Sequence, residues 1–236
     1  MSIIWDLYDS IISECDTEYI ILLFRKALID DSHEAIKLMF YVRDIGNGLG
    51  KRDMGCLLMK ELKKEKPKIY MKNLFYFCNT YGCFRDLFKL MDNNMIMELN
   101  FLRFTLECDL DELKSGGYIT QASKWAPSEG GKYDIIAKRL AGLMFPNDCR
   151  SMQSYRKKVL TPLRNRLNIV ETKITMGKWD EIEMNKVPRL AKEKYKKVFE
   201  QKHINNLFNR DNWTQTNLIE SEHDLHKHLL KYIYVD

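Results

Sequence analysis

The 236-residue chain is 45% hydrophobic and 30% charged, an ordinary globular composition that is long enough to bury a core and too apolar for a disordered segment. Its longest apolar run, Tyr19 to Phe24, falls far below the ~20 residues of a membrane-spanning helix. The net charge of +5 is unevenly spread: residues 1–42 carry eight acids against three bases, residues 43–72 nine bases against four acids, and residues 150–202 fifteen bases against six acids.

Helical periodicity predicts a first helix over 3–14, with Ile4, Leu7, Tyr8, Ile11 and Ile12 on one face. Asp16 or Thr17 caps a second through Leu28, and Ser32 opens a third that carries Ile36 and Phe40 and breaks at the glycines of 46–50. A fourth helix runs from about Lys51 to Glu65 and stops at Pro67. A fifth covers about 68–79, Tyr81-Gly82 turns the chain into a short helix near 84–91, and another spans about 93–113. Residues 118–131 are the longest irregular stretch. Helices at about 132–144, 151–166 and 189–201 follow, with 167–187 less regular. No strand set emerges. The expectation is an all-α fold of stacked antiparallel helix pairs, an α-solenoid over 1–210, with 211–236 a polar linker and terminal amphipathic helix.

Six scattered cysteines without a C-x2-C pair, and an N-terminus with no basic region ahead of a hydrophobic run, predict a reducing, cytoplasmic setting in which the thiols are small buried hydrophobes. Abundant lysine, isoleucine and asparagine fit an AT-rich genome, such as that of a large DNA virus. Two basic stretches in a nearly balanced chain point to a polyanion; lysine-rich solvated helix faces are the alternative.

Four clusters carry candidate chemistry. Arg43-Asp44 precedes Gly46, Gly48 and Gly50, with Lys51 and Arg52 at a helix start, so the loop reads either as a phosphate cradle or as a tight turn in which Arg43 and Asp44 make structural bonds. It is no Walker loop, since Ile45 and Arg52 stand where glycine and a hydroxyl residue are needed. Gly82-Cys83-Phe84-Arg85-Asp86 opens the next helix and reads as a turn, with Arg85 able to pair with a neighbouring carboxylate. Lys124-Trp125 in the Pro-bounded loop suits either phosphate contact and base stacking or a ring pinned to the core. The run Tyr155-Arg156-Lys157-Lys158 through Arg164 and Arg166, followed by Lys173, Lys178 and Lys186, is the best phosphate-tracking surface. His223, His226 and His228 are a weak metal motif, and no nucleophile–base pair assembles, so neither metal, cofactor nor catalysis is expected.

Taken in order, the stretches Tyr41 to Arg52, Tyr81 to Asp86, Lys124 to Ser128 and Tyr155 to Arg164, then Val170-Glu171, Trp179 and Lys186-Val187-Pro188, resemble the helical region of TROVE-like proteins, the Ro ribonucleoprotein type. The likeness covers roughly 33–200 and is nearest the branch that joins such a region to a von Willebrand A domain, whose Asp-x-Ser-x-Ser motif this sequence lacks. The resemblance implies an arc of HEAT-like helical repeats that holds RNA on basic surfaces. The expected function is therefore non-catalytic RNA binding: Arg156, Lys157, Lys158, Arg164, Arg166 and Lys178 on phosphates, Lys124 and Trp125 beside them, and Lys51 and Arg52 as a second patch. The alternative is a protein scaffold within a ribonucleoprotein or multi-subunit complex, docking through the acidic N-terminal stretch or a terminal helix 221–235. Ion pairs joining Arg156, Arg164 and Arg166 to Glu171, Asp180 and Glu183 would favour the scaffold.

Overall fold

The computed structural model describes residues 2–175, 177–178, 181–182, 187 and 189–196. The terminal helix, the histidines at 223–228, and Trp179, Asp180, Glu183, Lys186 and Pro188 lie outside the described residues.

Short polar side chains open the first helices. Ser2 Oγ accepts from the Trp5 amide at the start of α1 (Ile3–Ile12), and the Asp16 carboxylate takes the Glu18 and Tyr19 amides ahead of α2 (Thr17–Asp30). Asp31, one residue before the expected Ser32, caps α3 (Ser32–Arg43) through the His33 and Glu34 amides. Next come α4 (Arg52–Glu65) and α5 (Pro67–Asn79); Pro67 ends one helix and begins the next, where its missing N–H is of no consequence. The short helix predicted near 84–91 contracts to α6 (Leu87–Leu90), because Asp86 turns its carboxylate back onto the Cys83 amide. The long α7 (Ile96–Ser115) starts late because Asp92 closes a turn on the Asn94 amide.

Beyond it lie α8 (Ala122–Trp125), α9 (Asp134–Met144) and α10 (Ser151–Ser154), which runs through a π-helical segment, Tyr155–Leu160, into α11 (Thr161–Leu167). Two last helices, α12 (Val170–Thr175) and α13 (Arg189–Lys194), follow. The fold is all-α: no strand occurs among the described residues.

The described chain divides within α7 into two compact units, residues 2–104 and residues from 105 onward. In the first, α1 packs on α2, α2 on α3, α3 on α4 and α4 on α5. The inner helix is α3, buried from Ala35 to Arg43, with the Phe40 ring 4.7 Å from Tyr81 and 6.4 Å from Phe77. Each such ring, withdrawn from water, contributes ~1.5–3 kcal/mol. In the second unit Ala137, Leu140 and Ala141 of α9 and Tyr155, Val159, Leu160 and Leu163 are buried, and α8 packs on α11. No helix among the described residues is long and apolar enough to cross a membrane. All six cysteines are free thiols, but only Cys56 and Cys78 are buried; Cys15, Cys108 and Cys149 are exposed, so half of the expected buried hydrophobes sit at the surface.

Candidate nucleic-acid interface

The arginine–aspartate motifs of the first unit join into a structural cluster. Arg43, 1% exposed, donates from Nε (2.8 Å) and from Nη2 to Asp86 Oδ2, while Arg52 Nε donates to Oδ1 of the same, fully buried carboxylate. Arg43 and Arg52 are thus the partners of this aspartate, and Arg85 is exposed. Space is the reason for the neighbouring glycines: a Cβ on Gly82 would lie 2.5 Å from the Phe77 carbonyl and 2.7 Å from Asp86 Oδ2, and one on Gly48 1.9 Å from the Tyr41 carbonyl.

The 44–51 loop folds back on the end of α3 and uses its amides internally. Gly46 and Asn47 donate to Asp44 Oδ1, Leu49 to the Tyr41 carbonyl, Gly50 to that of Asp44 and Lys51 to that of Val42. Of the two readings of this loop the turn is therefore the one the hydrogen bonds describe; those five N–H groups do not point at a ligand. Lys51 Nζ donates to the Ile11 carbonyl (2.9 Å) and pairs with Glu14 (3.3 Å). Burial, ahead of the nearby Asp86 charge, pushes the Cys56 thiol up to about 12 and raises Cys83 as well, so these sulfurs stay protonated and unreactive.

The second unit holds the larger positive surface. Pro162 lacks the N–H that would reach the Lys158 carbonyl, and its ring crowds that carbonyl, so the preceding turn widens. The Thr161 amide then bonds five residues back to the Arg156 carbonyl, which also accepts from Thr161 Oγ1 (2.9 Å). The widened turn displays Arg156, Lys157 and Lys158, all exposed.

The same helix grips the loop before α9. Arg164 donates from Nε to the Ser123 carbonyl (2.8 Å), from Nη2 to that of Ala126 (2.8 Å) and from Nη1 to Ser128 Oγ (3.0 Å), while the Tyr155 hydroxyl reaches the Pro127 carbonyl (3.3 Å). Burial lowers the affinity of the Arg164 guanidinium for its proton, and neutral carbonyls rather than a carboxylate surround it. Nine residues at 3.6 per turn would set Tyr155 and Arg164 on opposite faces of an α-helix. The wide segment rotates less per residue, and both side chains meet one loop. That loop is tied at its other end by Asp109, whose carboxylate accepts from the Thr120 amide and hydroxyl, both at 2.8 Å.

A cleft of about 320 Å³ opens beside the wide turn, lined by Glu129, Arg150, Met152, Gln153, Arg156 and Lys157. Asp148 sets its rim by accepting from the Arg150 amide (2.8 Å) and Ser154 Oγ (2.5 Å); the serine bond first, then the amide, holds the Asp148 carboxyl below its usual range. Lys158 lies 5.6 Å from the Phe145 ring centre and Lys124 5.6 Å from that of Trp125. Arg150, Arg156, Lys157 and Lys158 form no ion pair with any described residue.

The expected phosphate contacts therefore separate. Arg156, Lys157 and Lys158 share the open surface, whereas Arg164 is committed to the loop, Arg166 makes a long 3.4 Å bond to the Gly116 carbonyl, and Lys178 pairs with Glu181 at 3.0 Å. Lys51 and Arg52 are engaged in the other unit. Sequence reasoning passed over Arg150 and the cleft residues Glu129, Met152 and Gln153; the available signal was Pro162, which marks a deformed turn beside the basic run.

Residues 104–209 match DUF2828, described as a domain of unknown function. The match covers the second unit and its cleft. Over 238 aligned residues the chain is also similar, at 28% identity, to "Uncharacterized protein L728" of Acanthamoeba polyphaga mimivirus; the alignment covers 92% of this chain and 40% of that protein. The chain thus spans less than half the length of this viral relative. No solved structure matches.

Proposed function

We propose that the chain is a non-catalytic RNA-binding protein of the TROVE-like kind, with its consecutively packed helices as the repeats of an arc and the DUF2828-matching unit as the RNA-holding surface. The observation that supports this is the set of four exposed cations, Arg150, Arg156 and Lys157 lining a cleft and Lys158 next to them in sequence, without an ion-pair partner among the described residues. Like charges gathered this way repel one another, and a polyphosphate relieves the repulsion by releasing its own counterions. Phosphate contacts of this type give affinity with little sequence choice.

The test is fluorescence anisotropy with labelled single-stranded and duplex RNA at 50 and 200 mM salt. Four phosphates on a single strand give a loss of roughly fiftyfold in affinity across that range. Arg156→Ala with Lys157→Ala lowers the slope of log affinity on log salt by about 1.4. Folded protein that ignores RNA at 50 mM salt sinks the proposal and leaves the scaffold reading. One observation favours that second reading: Tyr19, Leu22 and Ile29 share a face of α2 and are 49%, 46% and 84% exposed.

A further inference from the structure

Glu129 is the one acid lining a cleft whose other charged residues, Arg150, Arg156 and Lys157, are all cations, and a surface that held phosphate alone has no use for it. The side chain is exposed and forms no ion pair with Arg150, Arg156 or Lys157, although all four line the same cleft. Its backbone is fixed from both sides. Ser128 Oγ accepts from Arg164 at 3.0 Å, and the Gly130 amide donates to Asp134 Oδ1 at 2.8 Å. Gly130 itself has φ +73, a left-handed conformation that glycine adopts without strain. Across the cleft, Asp148 fixes the Arg150 backbone. Anionic and cationic groups therefore line one cleft from separately anchored segments of chain. A flexible thioether, Met152, and an amide, Gln153, line it with them.

A ligand that satisfies all of these carries a phosphate, a flat face and adjacent N–H donors. We infer that the cleft is a subsite for a single unpaired guanine nucleotide of the bound RNA, an assignment that rests on the RNA-binding reading. Arg150, Arg156 and Lys157 hold the phosphate, Met152 packs on the base, and the two Glu129 oxygens accept from the N1–H and N2–H2 groups of the Watson–Crick edge. Guanine alone among the four bases offers two neighbouring donors there. Adenine and cytosine offer one amino group beside an unprotonated ring nitrogen, and uracil offers one N–H flanked by carbonyls that repel a carboxylate. A volume of about 320 Å³ lies at the small end of ligand sites and suits one nucleotide.

The experiment measures anisotropy of the full chain with eight-residue oligouridine and with the same oligomer carrying one central guanine, adenine or cytosine. The guanine oligomer is expected to bind on the order of tenfold tighter than the other three, the low end for a bidentate contact because the cleft is open to water. Glu129→Gln reduces that preference below about threefold and raises oligouridine affinity slightly as a negative charge leaves; Lys114→Ala, at the exposed end of α7 where the lysine pairs with Asp111 at 2.8 Å, keeps the preference. Salt-dependent binding of all four oligomers with no guanine preference, or a preference that survives Glu129→Gln, overturns the subsite and leaves the RNA-binding reading standing. Titration with 5′-GMP and 5′-AMP, followed by NMR, separates the opposite case. GMP binding over AMP that Glu129→Gln abolishes, in a protein that binds no oligomer, supports the subsite and removes the RNA reading; no binding of either kind removes both.

Discussion

Replacing Arg164 by alanine separates a loop anchor from a phosphate contact. The guanidinium makes three hydrogen bonds to the 123–128 segment, at 2.8, 2.8 and 3.0 Å. A hydrogen bond from a charged group is worth ~1.5–3 kcal/mol, but the bonds are not additive, and the part-exposed Ser128 end is rehydrated on truncation. The net loss expected is about 2–4 kcal/mol, which displaces the urea midpoint by roughly 1–2 M. Urea unfolding followed by circular dichroism measures it, and faster tryptic cleavage after Lys124 reports release of the loop. Arg164→Lys recovers little, because an ammonium cannot span three acceptors in one plane. If Arg164→Ala unfolds within about 0.5 kcal/mol of the parent and instead loses RNA affinity with a flattened salt slope, the anchoring argument is refuted.

Asp86→Ala should cost about 3–5 kcal/mol, since it leaves Arg43, 1% exposed, without a counter-charge; a loss under about 1 kcal/mol by urea titration contradicts the cluster. For Asp109, burial raises the folded-state carboxyl above the ordinary 3.8 despite its two bonds from Thr120. Its stabilising contribution is then complete below that ordinary value and is lost as pH rises through the folded value. Asp109→Asn, which keeps an acceptor for the Thr120 amide, is expected to be as stable as the parent at pH 7 or more so, and to flatten the pH dependence of melting above the ordinary carboxyl value of 3.8. Steeper dependence in the variant opposes that account.

Local chemistry made most helices legible. Asp16 was readable as a cap and Pro67 as a stop, and the 3.6 period placed the buried face of α1; at α3 the cap is Asp31 rather than Ser32, and burial runs all round the helix from Ala35 to Arg43. What depends on distant partners was not legible. Arg43 and Asp86 lie 43 positions apart, and no spacing rule ties them together or explains why Gly82 must stand between them. The basic run was visible as charge. Its division into exposed cations and a half-buried anchor follows from the wide turn, which shifts the facing of every later side chain. A regular helix over 151–166 was the natural expectation, and Pro162 is the local reason it fails. Glu129 was hidden differently: its role comes from a fold that sets it among cations contributed by residues more than twenty positions away.

Tyr155 and Arg164 meet the same loop only because the wide turn absorbs part of the rotation between them. A version shorter by one residue within 156–160 leaves eight positions, a little over two turns of ordinary helix, and sets the two side chains about 80° apart instead of opposed. Such a deletion preserves the grip on the loop with a straight helix; adding a residue to the straight form breaks it. The segment behaves as an insertion the helix has accommodated, and the extra residue lies where three cations reach solvent.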